Sequence, residues 1–312
     1  MTILKRVFVV FLIVAVVGTG LLATAGAVFS GWRRTSDAAG NGPSAVASGG
    51  AATAIKGRLR IVTFNIRHGE GLDGRVNLER IASVIEAQHP DVVLLQEVDR
   101  RTIRTGFKDE AAWLARRLGM NYVFDPTIRL FPGDYGNLLL TRLPILEEQN
   151  YALPGPGEAR GLLAVALDLG HGLTLLVGGT HLGLSTGARA SQLVAVQEHL
   201  PAPTPEAGEN GVLEVLGGDF NTSSSAELAA TGLSGLWRDT FVVAGRGPVA
   251  TFGTRGGATG GNGERLDYIW ASAGAKVLDS YVVPTDASDH NALVTDFGLP
   301  SQPSVASALG GE

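Results

Sequence analysis

The chain contains no cysteine. Disulfides and thiolate metal sites are therefore excluded. Any bound metal is held by oxygen or imidazole, which favours a hard ion such as Mg²⁺, Mn²⁺ or Ca²⁺ over structural zinc. Aromatic residues are scarce at 6%, and no clear run of them offers a stacking platform for single strands. There is no basic surplus either. Setting aside Lys5 and Arg6 leaves 23 Lys and Arg against 30 Asp and Glu, a net charge of −7. Broad non-specific binding to nucleic acid needs a basic surface and is disfavoured, whereas a small basic cleft is still allowed.

What is present is 312 residues, 45% of them hydrophobic, enough for one large domain or two modest ones. Lys5 and Arg6 precede 23 uncharged residues, Val7 to Phe29, with A-x-A patterns at Ala23–Ala25 and Ala25–Ala27. This describes a secretory signal peptide over 1–30. The same run makes a helix of roughly 35 Å, long enough to be an uncleaved membrane anchor with a cytoplasmic N-terminus. Either reading places the rest of the chain outside the cytoplasm, anchored or secreted. Residues 31–56, rich in Gly, Ala and Ser, read as a flexible linker, and 300–312 as a similar tail. One domain is expected over 57–299, and no obligate protein partner is evident.

Along that domain, "RLRIVTF" (58–64) alternates like a strand, and "DVVLLQEV" (91–98) is an apolar run of the kind buried on both faces. Asn77 is placed to cap a helix carrying Leu78, Ile81, Val84 and Ile85, and "DEAAWLARRLG" (109–119) predicts a second helix ending at Gly119. Further strands are expected at 121–124, 136–141, 162–169 and 173–182, the last two joined by a Gly170-His171-Gly172 hairpin turn. "ARASQLVAVQEHL" (188–200) predicts a third helix, and Ser224 with Glu227 has capping-box spacing. Strands near 265–270, 277–283 and 292–297 complete a pattern of sheet packed on sheet with helices outside.

"VLGGDFNT" (215–222) sharpens the functional question. By itself it also fits a turn. If the strand continues through it, Asp219 and Asn221 share one face, and Gly217 and Gly218 admit another backbone or a ligand. Polar groups recur at the ends of other apolar strands: Asn65, Glu97, His181, Asp267 and the Ser288-Asp289-His290 triplet. Burying each alone would be costly, so six such strand ends point to one shared site.

These pieces, "TFNIRHG" (63–69), "LLQEVD" (94–99), "YGNLLLTRLPI" (135–145), "EARGLL" (158–163), "GGTHL" (178–182), "GGDFN" (217–221), "RLDYI" (265–269) and "SDH" (288–290), resemble the endonuclease/exonuclease/phosphatase superfamily in type and order. The resemblance implies an α/β fold, a four-layer α/β/β/α sandwich of DNase I type, and metal-assisted hydrolysis of a phosphoester. It implies Glu97, Asn65 and Asp289 at a Mg²⁺ site, with Mn²⁺ an alternative. It also implies Asp219 and Asn221 on the attacking water, His290 on the phosphate, Asp267 fixing His290, and His181 as a second phosphate contact. Arg160 would supply a fixed fork to the phosphate, or simply pair with Glu158. Arg67 stands where many family nucleases carry an acid, which argues against a second metal there and offers a phosphate contact. Asn291-Ala292 follows "SDH" where the family often has a proline one residue on.

His68, His89, His171 and His199 read as surface or loop residues, and Arg100, Arg101 and Arg104 as a solvated or specificity loop. The substrate expected is a lipid headgroup or small phosphoester, with extracellular nucleic acid as the alternative. A catalytically inactive surface binding domain is the alternative of another class.

Overall fold

The alternation read in 58–64 becomes two buried faces. The computed structural model describes residues 57–200, 211–253 and 263–299. In it, strand β1 (Arg58–Asn65) sends Leu59 and Ile61 into one apolar cluster and Val62 and Phe64 into another. The expected leader (1–30), linker (31–56) and tail (300–312) lie outside the described residues. Among the described residues no helix is long and apolar enough to cross a membrane.

The other strands are β2 (Val92–Arg100), β3 (Asn121–Leu130), β4 (Gly133–Thr141), β5 (Ile145–Leu153), β6 (Arg160–Gly170), β7 (Leu173–His181), β8 (Val212–Asp219), β9 (Trp237–Asp239), β10 (Gly245–Arg246), β11 (Asp267–Ser272), β12 (Lys276–Val283) and β13 (Ala292–Gly298). They form a seven-stranded sheet in the order β10-β12-β13-β1-β2-β4-β3 and a six-stranded sheet in the order β5-β6-β7-β8-β11-β9. Leu94, Leu293 and Phe297 of the first sheet meet Val165, Val177 and Ile269 of the second between them. Helices α1 (Leu78–Glu86) and α2 (Glu110–Leu118) bury Ile81, Ile85, Leu114 and Leu118 on the outer face of the first sheet. Helix α3 (Thr186–His199) lies over the second, where Leu200 at its end crowds Gly178 beside Leu162 and Leu216. The layers are therefore α/β/β/α.

Local chemistry sets the element ends. Asn77 accepts from the N–H groups of Glu79 and Arg80, and Asp109 from that of Ala112. Gly119 closes α2 at φ 61°, a left-handed position suited to glycine. The capping box at 224 is only half made. Ser224 accepts from the Glu227 N–H, but the Glu227 carboxylate turns to Arg189 and Thr222 instead. Strand β5 was not predicted. It alternates in burial, yet its inward positions mix Ile145, Glu147, Gln149 and Tyr151, so no apolar period marks it.

Strand direction positions the site. β1 and β2 run parallel, as do β7 and β8, whereas β13 and β11 run antiparallel to β1 and β8. The final residues of the parallel pairs and the first residues of β11 and β13 thus gather at one end of each sheet.

One buried acid lies just behind that end. Glu110 is fully buried and accepts from the Asp99 N–H at 2.9 Å. Burial raises its carboxyl to about 8. The folded state then holds a proton that the unfolded chain releases above about pH 4.3. This contribution to stability is complete below that pH and is lost as pH rises through about 8. Glu110→Gln keeps the acceptor and removes the titration. Urea unfolding is expected to show the variant more stable than the parent by roughly 4–5 kcal/mol at pH 8, with the difference shrinking to about 0.5 kcal/mol near pH 4.5. A constant difference across that range would contradict a buried, protonated Glu110.

Candidate active site

Register brings three of the expected residues into one row. His181 of β7 pairs with Asp219 of β8, and Asp219 pairs with Asp267 of β11. The first sheet supplies Asn65 at the end of β1 and Glu97 in β2. Asn65 joins the sheets: its Nδ2 donates to Glu97 Oε1 at 2.9 Å and to Asp219 Oδ2 at 3.0 Å.

Glu97 reaches this place through a bulge. The β2–β4 register shifts between Leu95 and Val98, and Glu97 sits at φ 60°, unusual for a non-glycine residue. Such bulges re-aim a side chain beside active sites. Gly218 admits a close backbone neighbour: at φ 144°, a Cβ there would lie 1.9 Å from the Thr180 carbonyl oxygen. A Cβ on Gly217 would meet Leu94 at 2.8 Å. The two glycines thus admit neighbouring protein, not a ligand.

The shared face expected for Asp219 and Asn221 does not form by strand alternation. The strand stops at Asp219, and Asn221 is left-handed at φ 50°. Its backbone N–H donates to Asp219 Oδ1 at 2.9 Å and its Nδ2 to the Leu182 carbonyl at 2.8 Å. An Asx-type turn, not an extended segment, holds the pair together.

His290 Nδ1 donates to Asp267 Oδ2 at 2.8 Å, and its Nε2 lies 3.6 Å from Asp219 Oδ2. Burial opposes a charge on this imidazole. Asp267, Asp219 and Asp289 together outweigh that and raise its pKa. Asp219 is also raised, by burial first and then by the Asp267 charge. His181 behaves oppositely: burial, then Arg160 and His290, hold it well below its usual value. Arg160 Nη1, a pure donor, lies 3.1 Å from His181 Nδ1. His181 is therefore neutral with its proton on Nε2, and that atom lies 3.6 Å from Asp219 Oδ2. Arg160 is buried and also pairs with Glu158 at 3.2 Å, so both contacts weighed for it occur.

The rim residues are less committed to the centre. Asp289 lies beside Glu97 closely enough to raise its carboxyl, after burial, and sits 3.6 Å from Arg67 Nε. Arg67 is engaged by Glu70 at 3.1 Å and by Asp289, so as a phosphate contact it first has to leave them. His68 is not a free surface residue. It is half-buried near Arg104 and Glu70, and burial lowers its pKa. Asn291, just before the Ala292 that stands where the family often has proline, ties this segment down: its Oδ1 accepts from the Thr285 N–H and its Nδ2 donates to the Ala250 carbonyl.

Sequence reading assigned no role to Tyr135 or Phe252. Tyr135 bonds Arg160 and faces Glu97, and burial raises its phenol first of all. It lies in the "YGN" piece, so the signal was in view. Phe252 packs on His290 with ring centroids 4.8 Å apart, and nothing in its local sequence announces this.

The donors fit a divalent cation. Glu97 has burial, Asp289 and Glu158 all raising its pKa, and Asp267 Oδ1 is buried without a partner. A positive ion beside either would relieve it. Asn65, expected as a ligand, turns its amide nitrogen to the carboxylates while its Oδ1 accepts from the Arg67 N–H at 3.1 Å. It becomes a ligand only if that amide turns over. A second set of atoms, on Asp219, Asp267 and His290, lies within 4.8 Å of one another. The short His290–Asp267 hydrogen bond occupies that set, so we favour the Glu97 side.

Comparison with known proteins agrees with this geometry. The endonuclease/exonuclease/phosphatase family model matches residues 62–290. An endonuclease/exonuclease/phosphatase from Beutenbergia cavernae is 26% identical, with a TM-score of 0.63 over 80% of this chain and 74% of its own. A mannosyl-6-phosphatase of Bacteroides thetaiotaomicron is 18% identical, with a TM-score of 0.63 over 77% of this chain and 99% of its own. Truncated Caenorhabditis elegans TDP2 is 21% identical, with a TM-score of 0.59 over 77% and 97%. With its fold, its strand-end polar row and the family match over 62–290 in agreement, the chain belongs to the endonuclease/exonuclease/phosphatase family, whose members hydrolyse phosphoesters.

Proposed function

We propose that this protein is an extracytoplasmic, divalent-metal-dependent phosphoesterase acting by in-line attack of water, with a lipid headgroup or small phosphoester as substrate. One observation carries the reading: Asp219 is contacted by Asn65 and Asn221 and flanked by His181 and His290, while Asn65 also holds Glu97. Glu97 and Asp289 would hold Mg²⁺ or Mn²⁺. When bound, such an ion polarises the phosphoryl oxygen and offsets growing negative charge.

Asp219, raised in pKa yet central, orients the attacking water and takes its proton. Neutral His181 points an N–H towards the same place, and charged His290 stabilises oxyanion charge from the other side. Arg160 fixes the His181 tautomer and adds a buried positive charge. Asn221, locked by the Leu182 carbonyl, positions the Asp219 carboxylate.

The acidic balance and the apolar N-terminal run support a substrate at a membrane or among small molecules over nucleic acid. The deciding experiment is a panel of a chromogenic phosphodiester, sphingomyelin, inositol phosphates and plasmid DNA, run with Mg²⁺ and with chelator. Metal-dependent turnover of a lipid or small phosphoester is expected. Preference for plasmid DNA would favour the nuclease alternative, and inertness towards every substrate would leave only a binding domain. Cell fractionation tests location, and recovery in the cytosol would sink that part.

A further inference from the structure

We propose that the rim beside Glu97 docks onto an anionic lipid–water interface. Three large apolar side chains there face solvent: Ile103 is 68% exposed, Phe107 60% and Phe131 83%. They share one surface. The Arg101 N–H donates to the Lys108 carbonyl and the Phe107 N–H to the Thr102 carbonyl, both at 2.8 Å, closing a tight loop that carries Ile103 and Phe107. The β3–β4 turn carrying Phe131 lies against the base of that loop, because a Cβ on Gly133 would meet the Arg100 carbonyl oxygen at 2.0 Å.

Charge selects the occupant. Arg101 and Arg129 have side chains 70% and 65% exposed, while their acidic neighbours Asp109 and Asp134 are only 19% and 16% exposed. Lys108 is exposed on the same loop. A solvent-facing cationic collar around apolar tips, on an otherwise acidic chain, is the pattern that inserts into the headgroup region of anionic lipid. Phe107 and Phe131 could each stack on a base, but Ile103 cannot and the chain outside residues 1–6 is net acidic, so single-stranded nucleic acid is the poorer fit.

The loop also reaches the site. Arg104 forks onto buried Asp99 at 2.7 Å, lies over the Tyr135 ring at 5.4 Å and feels the Glu97 charge. Docking would present the mouth of the site to headgroups. The inference rests on the lipid-headgroup reading above, but insertion is measured without turnover, so the two can fail separately.

The absence of cysteine gives a clean probe. Full-length Phe131→Cys is labelled with an environment-sensitive fluorophore. Its control is full-length His171→Cys, in the β6–β7 turn at the opposite end of the sheet. Any attachment through residues 7–29 affects both alike. With phosphatidylcholine vesicles containing phosphatidylglycerol, the 131 label is expected to shift to the blue and to be quenched by brominated acyl chains, while the 171 label stays aqueous. An aqueous 131 label overturns the proposal. So does a shift given by a single-stranded oligonucleotide but not by vesicles, or one that depends on protein concentration alone, which would mark a second copy as the occupant. Separately, combined Ile103→Ser, Phe107→Ser and Phe131→Ser should raise KM for a vesicle-borne substrate roughly tenfold, as expected for lost insertion. Turnover of the soluble chromogenic phosphodiester should be unchanged, and equal loss on both substrates overturns the proposal.

Discussion

Asp219→Asn is expected to lower kcat by on the order of 10³- to 10⁴-fold on the substrate that the panel identifies, with KM little changed. The carboxylate sits where Asn65, Asn221, His181 and His290 meet, and an amide cannot take a proton from water. Asn preserves volume and still accepts from Asn65. Burial and Asp267 already disfavour the charged form of Asp219, so its loss should not unfold the protein. Asp219→Ala should lose activity as completely and, by leaving a cavity, be modestly less stable. Steady-state kinetics beside a thermal melt checks both. Turnover within a few-fold of the parent would remove Asp219 from the chemistry, and a molten variant would shift weight to Asp219→Asn alone.

The second large effect concerns the cation. Glu97→Gln retains an acceptor for Asn65 but removes the charge that burial, Asp289 and Glu158 all press against. Titration calorimetry with Mn²⁺ is expected to show at least a roughly 100-fold weaker Kd, since one charged oxygen ligand is lost from a site that offers few. Half-maximal activation by Mg²⁺ should move in parallel. Asp267→Asn is the discriminating partner. It disturbs His290 but leaves the Glu97 side intact, so metal affinity should change little while kcat falls. The reverse pattern would place the ion among Asp219, Asp267 and His290 and overturn the favoured assignment.

Much of the architecture follows from short-range rules that act wherever the chain goes. Asn77 and Asp109 cap their helices because their side chains reach the next N–H groups, whatever packs around them. Strand β2 reads as buried because seven of its nine residues are. β5 escaped notice because an edge strand tolerates Glu and Gln at inward positions. The polar residues at strand ends were visible for the opposite reason: each contradicts the apolar run before it, and that cost demands a partner.

Sequence alone marked the groups that had to meet, since Asn65, Glu97, His181, Asp219, Asp267 and His290 each interrupt or flank a largely apolar run. Only the tertiary structure decided how they meet. Pairing register set His181, Asp219 and Asp267 in one row, a bulge turned Glu97 towards Asn65, and a left-handed Asn221 bonded the Leu182 carbonyl. The exposed rim of Ile103, Phe107 and Phe131 likewise emerged from folding. The physical reason is range: hydrophobic period and capping are settled within a few residues, whereas register, bulges and exposure depend on distant partners, such as Asn65 and Asp219, 154 positions apart.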